Sequence, residues 1–345
     1  MILVLAMAGA LWGIGALMKV PASVRFTMLA LLWAAVVGLH LALPQGHPLR
    51  EATGGEPQGW VALGFIAALA LAYRVMLRRL RARASPAVAE APSGAFRPAE
   101  LDRYARHIML REIGGPGQRK LKDAKVLVIG AGGLGSPALF YLAGAGVGTL
   151  GFVDDDMVDG SNLQRQIIHA DQRIGMPKVF SAEIALRALN PFIALRPYNR
   201  RLDEATARAL FADYDLILDG TDNFDTRYMV NRLAVEAGKP LISGAITQWE
   251  GQLSLFDPAR GGPCYECVFP TRPAPGMVPS CAEAGVAAPL PGVIGAMMAT
   301  EAVKQITDAG EGLRGRLMIH DALYAETRVI GVARRADCPV CGARG

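Results

Sequence analysis

Two pairs of cysteines, Cys264-Tyr-Glu-Cys267 and Cys338-Pro-Val-Cys341, account for four of the five cysteines in a chain of 345 residues. Each pair offers two thiolates from one tight turn, and two such turns supply the four soft ligands of a closed tetrahedral zinc site. Four protein ligands leave no position for water or substrate, so the expected role is structural, pinning the C-terminal tail to the loop after the sheet. Two redox pairs are the alternative, but neither lies in a thioredoxin-like βαβ setting. An odd cysteine count in a large, cysteine-poor chain does not read as a disulfide scaffold, and this spacing fits metal binding in a reducing compartment. The fifth, Cys281, stands alone with Arg272 nearby in sequence. A buried inert thiol and a reactive thiolate both remain open for it.

A second set of residues points to phosphate chemistry. The run Gly130-Ala-Gly-Gly133-Leu-Gly-Ser136 follows an apolar strand and opens an apolar helical pattern. Its glycines let the backbone approach phosphates at the positive end of a helix. Asp154 stands 21 residues past Gly133, about where an acidic side chain reaches ribose hydroxyls. By itself this fingerprint serves dehydrogenases equally well. Arg165 in Ser161–Gln166 and Lys178 after Gly175-Met-Pro177 add two cations near the loop. Hydride transfer has no use for cations over a triphosphate, whereas nucleotidyl transfer does, because charge builds on the phosphate oxygens. Asp222, in Asp219-Gly-Thr-Asp222-Asn223, stands where a parallel strand delivers a ligand to Mg²⁺. Capping the helix from Phe224 to Ala237 is its alternative role.

The elements that must position these groups are legible as an α/β pattern. Lys125–Gly130, Thr149–Val153 and Tyr214–Leu218 read as strands of a Rossmann-like, mostly parallel sheet. Gln252–Phe256 reads as part of an antiparallel extension, and Val293–Ile306 as a late helix. His107, His169 and His320 are scattered singly, as ordinary packing or surface residues are.

Three apolar stretches precede this pattern: Met1–Met18, Phe26–Leu43 and Trp60–Leu77. Each is about the length that crosses a bilayer core, the first at the short limit. Gly9 and Gly13 have the spacing that permits close helix contact. Lys19 and Arg25, flanking the first connection, and Arg78, Arg79, Arg81 and Arg83, after the third stretch, predict three spans with an external N-terminus and with both basic clusters and all that follows in the cytoplasm. The expected organisation is a multi-pass inner-membrane anchor at 1–83, a linker at 84–98 and one α/β domain at 99–345. Residues 1–96 hold 8 Lys and Arg against 3 Asp and Glu, while the remainder is neutral. The basic balance of the chain therefore reports the anchor, and nucleic acid is not an expected partner.

Taken together, Arg103–Ile108, Gly130–Ser136, Ser161–Gln166, Gly175–Lys178, Thr221–Asn223, Glu250–Gln252, Cys281–Val286 and the two cysteine pairs closely resemble the ThiF/MoeB/HesA family of ubiquitin-activating-enzyme-like adenylyltransferases, in particular its molybdopterin-synthase branch. The likeness covers roughly the last two-thirds of the chain. It implies ATP-dependent adenylylation of the C-terminal glycine of a ubiquitin-like sulfur carrier ending in Gly-Gly, with pyrophosphate released. Gly133 is implied as the phosphate-loop glycine and Asp154 as the ribose ligand. Asn162, Arg165 and Lys178 are implied as triphosphate contacts, and Asp222, beside Asn223, as the Mg²⁺-linked catalytic aspartate. Arg106 resembles an arginine that such enzymes pass across a homodimer interface. Cys281 matches a cysteine that in some relatives binds the activated carrier covalently. With no rhodanese-like segment after Cys341, sulfur is expected from a separate donor. The same chemistry on a thiamine-pathway or other carrier, on a small-molecule or tRNA-linked carboxylate, or a membrane nucleotide sensor without turnover are the rival readings. The typical family pattern does not include the three apolar stretches.

Overall fold

The structure, a computed structural model, describes residues 2–18, 20–54, 56–84, 95–273 and 284–342. The chain divides into two compact units, Met1–Ala89 and Glu90–Gly345.

In the first unit, α1 (Ile2–Leu17), α2 (Ala22–Ala42), α3 (Pro48–Thr53) and α4 (Pro57–Ala84) form a small helical cluster. Within α2 and α4, Ser23–Ala42 and Pro57–Met76 are long and apolar enough to cross a membrane. Only 11% and 6% of their apolar windows are buried, quite unlike the core helix of a soluble protein. The first expected span is a shorter apolar helix among the described residues: Leu3–Leu17 extends about 22 Å, against a bilayer core of about 30 Å. Helix α4 runs to Ala84, one residue beyond the expected anchor boundary, and most of the expected linker lies outside the described residues. Gly9 and Gly13 face open space rather than a neighbouring helix. The close approach is made instead by Gly64 of α4, where a Cβ would fall 2.2 Å from the Trp33 ring of α2. Trp33 Nε1 donates to the Trp60 carbonyl at 2.8 Å, and Trp60 Nε1 to that of Gly54 at 3.0 Å.

The second unit is built on an eight-stranded sheet. Its strands are β1 (Lys125–Ile129), β2 (Thr149–Val153), β3 (Ala194–Tyr198), β4 (Leu216–Asp219), β5 (Leu241–Ile246), β6 (Glu250–Phe256), β7 (Arg316–Asp321) and β8 (Glu326–Gly331). Their order is β3-β2-β1-β4-β5-β6-β7-β8. The first five pair in parallel, and β6, β7 and β8 continue antiparallel. The strand order reverses between β1 and β4, the place where open α/β sheets bind ligands.

Alternate side chains leave opposite faces of a strand, so the continuous apolar runs of β1 and β4 feed two cores. Val126, Val128 and Leu218 pack against α7 (Gly135–Ala145), α8 (Lys178–Leu189) and α11 (Leu290–Thr307). Leu127, Ile129 and Ile217 pack against α9 (Glu204–Asp213) and α10 (Phe224–Glu236). Strand β4 starts two residues later than its apolar run suggests. Tyr214 is instead a filler: its hydroxyl meets Tyr198 at 3.0 Å and its ring occupies space that any Cβ on Gly151 would need.

Two further helices, α5 (Pro98–Ile108) and α6 (Gly114–Asp123), pack at the C-terminal end of α7. The Tyr104 ring lies against Gly146. Asn190, which ends α8, donates to Tyr104 Oη at 2.8 Å and to the Ala143 carbonyl at 2.6 Å. All three groups are out of water, so removing the donor strands two acceptors. Asn190→Ala is expected to lower the stability of this unit by about 2 kcal/mol or more, read from the thermal or urea midpoint of the full chain in detergent.

Candidate active site

The sheet brings the sequence-predicted phosphate residues together at the carboxyl ends of β1, β2 and β4. Strand β1 ends at Ile129 because Gly130 turns left-handed, at φ +91°. The chain then passes so close to itself that a Cβ on Gly135 would stand 1.9 Å from the Gly130 carbonyl oxygen. Gly130 in turn abuts Gly220, where the corresponding distance is 3.3 Å. The N–H groups of Gly132, Gly133 and Leu134 donate to no acceptor among the described residues. They open α7, and so present unpaired donors at the positive end of a helix.

Asp154, just past β2, is tied to this loop. Its Oδ2 accepts the Ala131 N–H at 2.8 Å and its Oδ1 that of Asp156 at 2.9 Å. Burial holds its carboxyl above the usual carboxylate range, against the pull of Lys178 and the two N–H groups. A carboxylate has about four lone-pair sites, so acceptor capacity remains for hydroxyl donors.

The segment after β2 folds back over the loop. Asn162 ends a short 3-10 turn and its Oδ1 accepts from Arg165 Nη2 at 2.9 Å. A Cβ on Gly133 would touch the Arg165 side chain at 3.9 Å and Pro291 of α11 at 3.1 Å. Lys178 begins α8 and is 4% exposed; its Nζ meets the exposed Asp156 at 2.7 Å. A lysine buried to this degree, held by one exposed carboxylate, is a cation ready to be shared with an anionic ligand.

On the β4 side the helix cap is Asn223, whose Oδ1 accepts the Thr226 N–H at 2.8 Å. Asp222 is therefore free of the capping role and stands exposed, with no hydrogen bond or ion pair among the described residues. The turn that carries it is held from beneath by residues that sequence reading overlooked. Asp219 Oδ1 accepts from the Thr221 N–H at 3.0 Å and from its hydroxyl at 2.7 Å. The buried Arg227 guanidinium donates to the Thr221 and Gly244 carbonyls and to Ser243 Oγ. An arginine directly before the apolar run Tyr228–Val230 of α10 was the available signal.

Arg106 is not brought to this loop. It lies exposed on α5, two residues beyond Tyr104 and thus by the far end of α7, a helix about 16 Å long. Cys281 lies outside the described residues. Two surface cavities, of about 520 and 590 Å³, are lined around Lys120 and Arg260 and around Arg232 and Arg272, and neither includes the loop.

The two cysteine pairs do converge. Sγ of Cys264 lies 3.5 Å from that of Cys338 and 3.9 Å from that of Cys267, which is 3.4 Å from Cys341. All four sulfurs lie within 4.8 Å of one another, and all four residues are buried. The separations exceed a disulfide's by far, about 2.05 Å. Four sulfurs about 2.3 Å from a common tetrahedral centre would be about 3.8 Å apart, so the donor set fits a zinc ion. Burial pushes the Cys264 and Cys341 thiols up, while at Cys338 burial is outweighed by the backbone N–H groups of Cys341 and Val340, which draw it down to about 7.

Comparison with known proteins agrees with this geometry. The ThiF family model matches residues 104–340. The chain is 49% identical over 247 residues to the sulfur carrier protein adenylyltransferase of Thermus thermophilus, across 70% of this chain and 91% of that protein. It is 47% identical over 246 residues to the SAMP-activating enzyme E1 of Haloferax volcanii, across 71% and 90%. With the adenylyltransferase and sulfurtransferase MOCS3 of Bos taurus the identity is 45% over 264 residues, across 76% and 58%. Among solved structures, E. coli MccB in its complex with ATP has a TM-score of 0.60 at 25% identity, covering 70% of this chain and 74% of that one.

His169 sits directly below the loop, 7% exposed, and burial lowers its pKa from 6.5 to about 4. Between those two values the unfolded chain carries a proton that the folded chain does not, so stability falls as pH drops through that window. After allowance for partial solvent screening the contribution is about 2–3 kcal/mol. Comparing urea midpoints of the wild type and His169→Gln from pH 7 to 4 should show the wild type losing that much more.

Proposed function

This chain belongs to the ThiF family, and we propose that the ATP-using adenylyltransferase it forms activates the C-terminal glycine of a ubiquitin-like sulfur carrier, of the molybdopterin-synthase small-subunit type. The observation that carries this reading is the 49% identity to a sulfur carrier protein adenylyltransferase across nearly its whole length. The site geometry supports it. Gly132, Gly133 and Leu134 offer N–H groups to the phosphates, Asp154 accepts from the ribose, and Asn162, Arg165 and Lys178 contact the triphosphate. Asp222 and Asn223 stand just past the carboxyl end of β4, and the Asp222 carboxylate, partnerless among the described residues, fits a hard divalent cation such as Mg²⁺. That cation, when bound, offsets charge on the phosphate oxygens.

In the reaction, one oxygen of the carrier's terminal carboxylate attacks the α-phosphorus of ATP. The bond from that phosphorus to the bridging oxygen breaks, pyrophosphate leaves and an acyl-adenylate remains. The attacking group is already ionised, so no proton moves and no protein nucleophile is needed. Catalysis is then positioning plus charge stabilisation. Arg106 supplies further positive charge from a second copy of the chain, which is why its position far from its own loop favours a homodimer. Sulfur reaches the adenylated carrier from a separate donor.

The first unit anchors the enzyme in the inner membrane. Lys19 and Arg25 precede or open α2, and Arg78, Arg79, Arg81 and Arg83 close α4. Those two ends share one side of the membrane whether or not α1 also crosses, so the catalytic unit faces the cytoplasm in either case. The cysteine quartet holds a structural zinc ion. Metal analysis of the purified chain should give about one zinc per chain, lost in Cys264→Ser together with thermal stability; stable, metal-free wild type would overturn this role.

Carrier-dependent exchange of pyrophosphate into ATP tests the reaction. Exchange should require a carrier ending in Gly-Gly and disappear in Asp222→Ala. Mixing and refolding Arg106→Ala with Lys178→Ala, each inactive alone, should restore about one quarter of wild-type activity, because random pairing of two chains leaves that share of sites intact. No recovery from mixed dimers would remove Arg106 from the partner's site.

A further inference from the structure

His169 is joined to both halves of the phosphate region. Its Nε2 lies 3.0 Å from the Ala131 carbonyl oxygen and its Nδ1 2.9 Å from Ser181 Oγ. A carbonyl can only accept, so Nε2 carries the proton and Nδ1 accepts from the serine hydroxyl. This is the neutral tautomer that its burial favours.

Two consequences follow from elementary geometry. The described chain contains no cis peptide, so the Gly132 N–H points opposite to the Ala131 carbonyl. Holding that carbonyl toward the imidazole turns the Gly132 N–H away from it, toward the mouth of the loop. The preceding peptide is fixed as well, since the Ala131 N–H is taken by Asp154. Without the imidazole, a peptide between alanine and glycine can rotate and direct a carbonyl dipole where the N–H had been. The second consequence concerns α8. Ser181 lies three residues after Lys178, about one turn along. Arg173 adds a brace to the same turn, donating to the Ser181 carbonyl and, at 3.1 Å, to that of Ile168.

We propose that His169 is a positioning residue for the nucleotide: a strut that sets the direction of the Gly132 N–H and fixes the Lys178 turn of α8 relative to the phosphate loop. The ligand it serves is the phosphate chain of a nucleoside triphosphate, and the proposal rests on the adenylyltransferase reading of the site. His169 itself touches no substrate.

Direct ATP binding to the full chain in detergent, by calorimetry without carrier, is the test. His169→Leu should raise the Kd for ATP by about 10- to 100-fold, the effect of losing hydrogen bonds to a charged ligand. His169→Gln, whose amide can still donate to Ala131, should stay within about threefold of wild type. Leu186→Ala, which empties buried volume from the same helix, should lower the melting temperature and leave the Kd unchanged. A folded His169→Leu chain with wild-type Kd overturns the proposal, as does a Leu186→Ala chain that weakens ATP equally. Should His169→Leu fail to fold, Ser181→Ala removes one end of the strut; a rise in Kd supports the proposal and no change overturns it. A wild type that binds ATP yet shows no carrier-dependent exchange fails the carrier reading alone and leaves these Kd comparisons decisive. A wild type that binds no ATP overturns both.

Discussion

Three glycine backbones in mutual contact set the geometry on which the catalytic unit depends. Gly130 ends β1, Gly135 begins α7 and Gly220 follows β4, and a Cβ at any of them would press on its neighbours. At Gly135 the intruding atom would sit inside the Gly130 carbonyl, so no rotamer change could accommodate it. Because these backbones touch, α7 starts directly over the point where the strand order reverses. The N-terminus of α7, with its free N–H groups, thereby stands against the end of β4 whose turn carries Asp222.

Around that contact the polar groups are arranged in layers. Asp222, open to solvent, has no partner among the described residues, and half-buried Arg165 is held only within its own turn, by Asn162 and the Ser161 carbonyl. Beneath them stand residues whose bonds run to backbone: Asp154 to Ala131, Arg227 to Thr221 and Gly244, Asp219 to Thr221. The second group spends its hydrogen bonds on loop shape, and burial makes those bonds costly to break. Rigid support below and loosely held charge above suit a site in which catalysis is mainly orientation.

Much of this was legible in the chain itself. The uninterrupted apolar runs of β1 and β2 and the glycine loop between them are local signals, and the cysteine pairs carry their ligand geometry in their spacing. The antiparallel strand Gln252–Phe256 and the helix Val293–Ile306 were visible for the same reason, though the structure begins them at Glu250 and Leu290. Less local features were not. Tyr214 has strand-like character but serves as a side-chain filler against Gly151, a contact between residues 63 apart in sequence. His169 stands alone in sequence with no partner at metal or catalytic spacing; its meaning comes from a carbonyl 38 residues earlier. Arg227 likewise depends on β5, which no motif marks. The hairpin of β7 and β8 was missed because half-exposed antiparallel strands carry a weaker apolar signal than strands buried on both faces.

The sheet ends at β8, where all six residues are exposed and only β7 is a neighbour among the described residues. Its outer row of N–H and C=O groups is thus an open template for another strand. Val329 and Ile330, 50% and 46% exposed, give that edge little of the charge that usually discourages self-association. Glu326 and Arg328 guard its beginning, but they are paired with each other. In detergent, where the apolar helices of the first unit are covered, this margin stays open to strand-to-strand self-association, independently of how tightly the interior is packed. Lysine at position 329 or 330 is the natural way to make concentrated samples tractable.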